Sequence, residues 1–248
     1  MLRTFVDGRL FGSVTGTSAP RVIALHGWAR SHRDFDGVLA PSHEEPLDAI
    51  ALDLPGFGAS PPPPDAWGAI EYARLVAEVV RDIGSPVVVL GHSFGGRVAL
   101  HLAALAPESV QALVVTGAPF LHPVGRRGTP ALAYRIVRRL HSAGIVSDLR
   151  MEAARQRHGS PDYKAAQGIM RQVHVRAVNE SDEQELAEVQ CPVHLVWGAD
   201  DTAAPLEVAE RASALLTQSD LIVYPGVGHL TPTLIPDHLR RAVLACLP

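Results

Sequence analysis

The chain has 248 residues, of which 47% are hydrophobic and 19% charged, a balance that excludes a disordered protein and suffices for one domain burying about three quarters of the surface its unfolded form exposes. Twenty-two basic residues against 26 acidic ones leave a net charge of −4, which offers no footing for nucleic acid. No apolar run approaches the roughly 18 residues of a membrane span, and residues 1–7 show no apolar stretch ending in a small-residue cleavage site, so a cytoplasmic protein is expected. Cys191 and Cys246 fall at a predicted strand start and in the last predicted helix, and are expected to be buried free thiols.

Along the chain, residues 2–6 and 10–15 flank Asp7-Gly8, the dipeptide best suited to a two-residue hairpin turn, so an antiparallel ribbon is expected first. Residues 21–25 and 49–52 are short apolar runs that read as buried strands, and Ser31 is placed to cap a short helix reaching Ala40 between them. Residues 67–83 carry Ile70, Leu75, Val76, Val79 and Val80 among Glu71, Arg74, Glu78 and Arg81, which is helical spacing. A strand over 87–90, a helix over 97–106 and a strand over 112–116 follow. Regular alternation of this kind predicts an α/β fold built on a mostly parallel sheet covered on both faces.

The alternation stops after Pro119. From 120 to 188 no strand is evident, and helices are expected over 131–143, 148–157 and 162–178; Ser181-Asp182-Glu183-Gln184 has capping-box spacing for one more. The pattern resumes with a strand over 193–197, a helix over 205–216, a strand over 221–224 and a helix over 236–247. The chain therefore divides into a core, 1–119 with 189–248, interrupted by a helical insertion, 120–188. Pro61 to Pro64 reads as a stiff loop.

Gly91-His92-Ser93-Phe94-Gly95 lies directly between the apolar run 87–90 and the predicted helix 97–106. A serine on so sharp a strand-to-helix turn is held in a strained backbone conformation that projects its hydroxyl, and glycines two positions either side let the turn pack. Four further segments accompany it: His26-Gly27-Trp28, Asp53-Leu54-Pro55-Gly56-Phe57-Gly58-Ala59-Ser60, Trp197-Gly198-Ala199-Asp200-Asp201 and Gly226-Val227-Gly228-His229. With these motifs the chain resembles the α/β-hydrolase superfamily from end to end. The resemblance implies an eight-stranded, mostly parallel sheet with a helical lid inserted after the sixth strand, matching the interruption at 120–188.

It also implies a serine hydrolase, and because the sequence shows no metal or nucleotide motif, no cofactor or metal is expected. Ser93 is the nucleophile, and a serine requires a base within hydrogen-bond reach and a third group to fix the base. In the superfamily's order of serine, acid, histidine, the base is His229 or His238; His229 stands in a glycine-rich loop, whereas His238 falls in a helix and is expected to be solvated. The acid is Asp200 or Asp201, and Asp201 fits the family spacing from Gly198 behind and Pro205 ahead. The backbone amides of Phe94 and Trp28 are the expected oxyanion donors. His26 and His92 are expected to be structural, and Asp53 with its glycines to shape a loop without taking part in chemistry.

Aspartate-dependent dehalogenase or epoxide hydrolase chemistry is excluded by the serine at position 93, and a lyase relying on a lysine beside the histidine is disfavoured because the sole lysine, Lys164, lies in the insertion. The sequence carries no His-Glu-x-x-His, paired Cys-x-x-Cys or Walker loop. The expected reaction is cleavage of small to medium carboxylic esters through an acyl-enzyme. Two alternatives stay open: carbon–carbon bond hydrolysis of a β-diketone or dienoate with the same triad, and a non-catalytic binding protein. The insertion carries eleven Arg and Lys against eight Asp and Glu. Arg135, Arg138, Arg139, Arg155 and Arg157 are expected to be solvated, with an anionic or carrier-linked acyl substrate as the sharper reading; His26-Gly27-Trp28 and the segment 54–58 look like those of the pimeloyl-carrier-protein methyl ester esterases.

Overall fold

The computed structural model describes residues 2–123, 137, 139–141, 143–158 and 160–247. Eight strands form one sheet: β1 Leu2–Phe5, β2 Leu10–Thr15, β3 Val22–Leu25, β4 Ala49–Asp53, β5 Val87–His92, β6 Val110–Thr116, β7 Val193–Gly198 and β8 Ser219–Tyr224. Their spatial order is β1-β2-β4-β3-β5-β6-β7-β8. β1 and β2 pair antiparallel with each other, β2 pairs antiparallel with β4, and every other pair is parallel. The central strands are buried on both faces, which is why they read as unbroken apolar runs rather than alternating ones.

Side-chain alternation along those strands splits the core in two. Ile23, Leu25, Ile50, Leu52, Val87 and Val89 face one layer, which contains α2 Ala69–Ile83, α3 Phe94–Leu105 and the helix Leu206–Leu215. Val22, Ala24, Ala49, Ala51, Val88 and Leu90 face the other, covered by Phe35, by Val38 and Leu39 of α1 Asp36–Leu39, and by Leu239 and Val243 of the last helix, Pro236–Ala245.

Several expectations need correction. The opening hairpin has a four-residue connection, because Phe5 pairs with Leu10 and Val6, Asp7 and Gly8 all take positive φ; the Phe5 and Val6 carbonyls accept from the amides of Gly8 and Arg9. The predicted helix 97–106 begins at Phe94, so Ser93 itself is its N-cap. The predicted helix 162–178 is two helices, Pro161–Ala165 and Gly168–Ala177, separated by extended backbone at Ala166 and Gln167. Ala166 and Gln167 are themselves good helix formers, and the local mark of the break is the next residue, Gly168, at φ +51°. The predicted helix 131–143 falls largely outside the described residues, as do Arg135 and Arg138; Arg139 and Arg157 are exposed. Between β6 and β7 the described residues form helices and connections, including Asp148–His158. No described helix is long and apolar enough to cross a membrane. Cys191 and Cys246 are free but only partly buried, and desolvation pushes both thiols up to about 11.

The helix Glu183–Glu188 forms as expected, yet its N-cap is Asp182, whose carboxylate makes no capping bond. A stronger partner claims it. Arg97 on α3 holds Asp182 bidentately, Nε to Oδ2 at 2.5 Å and Nη2 to Oδ1 at 2.7 Å, while His101 Nε2 lies 3.1 Å from Oδ1. Arg97 Nη1 also donates to the carbonyl of Ala177. The Asp182 amide in turn donates to the carbonyl of Phe120 at 2.8 Å, closing the base of the insertion.

Both charged side chains are almost fully buried, at 2% and 1% exposure. Removing one partner of such a pair strands a buried charge and typically costs about 3–5 kcal/mol. Arg97→Met is therefore expected to lose about that much unfolding free energy in urea titrations, and adding Asp182→Leu is expected to recover most of it. Burial alone would raise the Asp182 carboxyl, but the hydrogen bonds from Arg97 and His101 outweigh it and hold the group below its ordinary value. That contribution is full above the unfolded carboxylate range and is lost as pH falls through the lowered folded value, so the deficit of Arg97→Met should shrink in acid.

Candidate active site

The turn after β5 explains why its sequence reads as it does. A Cβ on Gly91 would sit 2.6 Å from the Gly96 Cα, and one on Gly95 would overlap the carbonyls of Leu25 and His26. The flanking glycines therefore let strand, turn and helix pack at backbone distance. Between them Ser93 adopts φ 51° and ψ −117°, a conformation that costs a non-glycine residue about 1–3 kcal/mol and persists only where its surroundings fix it. Its amide donates to the Thr116 carbonyl at 2.9 Å, and its own carbonyl accepts from the amides of Gly96 and Arg97.

Asp201 lies in the loop after β7 with its carboxylate fully buried. Oδ1 accepts from the amides of Ala203 and Ala204 at 2.9 and 2.8 Å, and Oδ2 lies 2.8 Å from His229 Nδ1. Trp197 ties the loop down by donating Nε1–H to the Ala204 carbonyl at 2.8 Å. On the far side of the imidazole, Nε2 lies 3.1 Å from Ser93 Oγ. A carboxylate only accepts, so Nδ1 carries the proton and the Nε2 lone pair faces the serine hydroxyl. Ser93, His229 and Asp201 thus meet in one hydrogen-bonded chain.

The rival positions lie elsewhere. Asp200 is exposed, and its amide donates to the Val227 carbonyl. His238 is half-buried against the Tyr224 ring at 4.4 Å and within 3.0 Å of Arg241 Nη2, so it is not simply solvated as expected from sequence.

Among the described residues, neither the Trp28 nor the Phe94 amide donates a turn or loop hydrogen bond to a backbone acceptor. His26 is fully buried; Nδ1–H donates to the Gly27 carbonyl at 2.7 Å and Nε2 accepts the Leu54 amide at 3.0 Å. Burial lowers its pKa, and it acts as a brace between two loops. Asp53 braces the loop after β4: it accepts the amides of His32 and Ala59 and the His32 Nδ1–H.

Two positions carried no clear signal in the sequence. Gly117, at φ +59°, sits where a Cβ would come within 3.1 Å of His229 Nδ1 and 3.2 Å of Asp201 Oδ2. His92 does more than pack, since its Nε2–H donates to the main-chain carbonyl of His229 at 2.9 Å. Only a strand ending in Thr-Gly hinted at the first, and nothing local at the second.

A cavity of about 300 Å³ opens at Ser93, walled by Trp28, Phe94, Leu121, His174 and Val178 among others. Burial lowers the His174 pKa, which favours a neutral ring against Trp28. Arg97 also lines the cavity but is committed to Asp182 and Ala177. Among the described residues His101, Asp182 and Glu185 bring potential metal ligands together; both Asp182 oxygens are already taken by Arg97, so the cluster is an ion-pair network rather than an open coordination site.

Comparison with known proteins agrees with this architecture. A pimeloyl-(acyl-carrier protein) methyl ester esterase of Nitrosomonas europaea is 27% identical over 87% of this chain and 90% of its own. A 2-hydroxy-6-oxononadienedioate/2-hydroxy-6-oxononatrienedioate hydrolase of Cupriavidus pinatubonensis is 23% identical over 89% of this chain and 84% of its own. In fold the chain is similar to the crystal structure of an esterase from a Rhodococcus species, with a TM-score of 0.69, 24% identity, and 98% and 97% of the two chains covered. The sequence profile of the alpha/beta hydrolase family matches residues 22–242, and the chain belongs to that family as a hydrolase.

Proposed function

We propose that the protein hydrolyses small to medium carboxylic esters, with Ser93 as nucleophile, His229 as general base and acid, and Asp201 as the group that orients and charges the imidazole. The observation that carries this reading is the chain from Ser93 Oγ through His229 to Asp201, at 3.1 and 2.8 Å. Ser93 Oγ attacks the ester carbonyl carbon as its proton passes to His229 Nε2. The tetrahedral oxyanion is held by the amides of Phe94 and Trp28, at the N-terminus of α3 where the helix dipole favours negative charge. Collapse breaks the carbon–oxygen bond, and the imidazolium returns its proton to the departing alcohol. Water then attacks the acyl-serine by the same route in reverse.

The insertion, 120–188, serves as the lid and supplies His174 and Val178 to the acyl cavity. An uncharged acyl group is favoured over a dicarboxylate of the kind named in the Cupriavidus relative, because the one arginine lining the cavity among the described residues is already paired. A carrier-linked ester, as the name of the Nitrosomonas relative describes, leaves its carrier outside the cavity and is compatible with this preference.

A fluorophosphonate probe is expected to label wild-type protein at Ser93, and Ser93→Ala or His229→Ala to abolish labelling, read by intact-mass spectrometry; an unlabelled wild type would favour a binding protein. Across p-nitrophenyl esters of increasing length, turnover should fall once the acyl chain outgrows the cavity. Asp201→Asn is expected to cut kcat by about 10³–10⁴-fold through the wrong imidazole tautomer, while Asp200→Asn stays near wild type. Gly117→Ala adds a methyl group against the imidazole and the carboxylate at a left-handed position, and a kcat loss of about 10²-fold with unchanged circular dichroism is expected.

A further inference from the structure

The His229 loop is held from beneath by two buried polar contacts. One comes from the elbow: His92 is 1% exposed and donates Nε2–H to the main-chain carbonyl of His229 itself, with ring centroids 4.9 Å apart. The other comes from the adjacent strand, where Thr116 is in register with His92 and its hydroxyl lies 2.6 Å from that of Thr231, both residues fully buried. Since Nε2 must donate to a carbonyl, His92 Nδ1 is left bearing a lone pair, and that atom is buried with no hydrogen-bond partner among the described residues. The ring also fills its space closely: a Cβ on Gly27 would approach Nδ1 to 3.0 Å and Cε1 to 3.2 Å. A buried imidazole with one unsatisfied nitrogen is costly. If this residue only filled volume, an apolar side chain would do so without that cost.

We propose that His92 is a positioning residue: through its hydrogen bond to the His229 carbonyl it sets the height of the base over the nucleophile, so that the residue preceding Ser93 also fixes the partner of Ser93. The serine and histidine come from distant parts of the chain, and this contact makes the elbow their common reference. It rests on the hydrolase reading given above. Desolvation, followed by repulsion from His229, pushes His92 down to about 4, against weaker opposing effects from the His229 carbonyl, Asp34 and Asp201. The ring therefore remains neutral at physiological pH and adds no positive charge to compete with the imidazolium formed on His229.

The test compares two substitutions with ester turnover and probe labelling. His92→Phe keeps a flat ring but no donor, whereas His92→Gln places an amide N–H at about the reach of Nε2. His92→Phe is expected to remain labelled but lose roughly ten- to hundred-fold in kcat, with little change in KM, as small misplacements of a reacting group do. His92→Gln should recover most of that loss. A His92→Phe enzyme with wild-type kcat, a loss confined to KM, or a loss that His92→Gln does not relieve would overturn the role of His92 while leaving the hydrolase reading intact. A wild type that the probe fails to label would overturn the hydrolase reading, and this role with it. Should His92→Phe fail to fold, nitrogen–proton correlation spectra of wild-type protein decide: the Nε2–H tautomer at neutral pH supports the contact, and the Nδ1–H tautomer removes it.

Discussion

The backbone at Ser93 is the constraint on which the site depends. A left-handed residue at the junction of a buried strand and a helix is unfavourable by itself, and here the strand, the helix and the loop after β3 close around it until no other path remains. Gly91 lets the strand meet Gly96, Gly95 lets the helix start meet the carbonyls of Leu25 and His26, and the Ser93 amide is taken by Thr116 on the next strand. From that turn the Ser93 hydroxyl meets His229 Nε2, in the loop after β8, at 3.1 Å. Stability of the core is thereby converted into placement of a side chain.

What was legible in the sequence follows from how local each cause is. Strands buried on both faces announced themselves as apolar runs, and the glycine pattern around Ser93 announced its turn, because a missing Cβ is written directly in the residue. Helix starts were less legible: a glycine-rich first turn masked the onset of α3 at Phe94, and the break at Ala166 and Gln167 is marked only by the single left-handed Gly168 that follows it. Asp182 shows a local signal overruled by a distant one, since its position suits a cap but a buried guanidinium 85 residues earlier makes the better partner. The contact of His92 with His229 spans 137 residues and arises where the strand end meets the loop after β8, which residue type and spacing do not encode.

Electrostatics divides the site into two regions. Near the serine, the polar groups bear on single atoms: two amides fix one oxygen of Asp201, and its other oxygen faces the imidazole. Further along the cavity, Arg97 is neutralised by Asp182 before any ligand arrives. The guanidinium is thus a structural element of the wall, and the cavity presents the aromatic faces of Trp28 and Phe94, set edge to face at 5.9 Å, to what enters.

The hydrogen bond between the Asp182 amide and the Phe120 carbonyl bears on the length of the insertion. Phe120 and Asp182 lie side by side where the polypeptide leaves and returns, so the two ends of the insertion are joined directly. Closure entropy rises only by about 0.6 kcal/mol per doubling of such an excursion, so a change in its length would cost the fold little as long as that junction is kept.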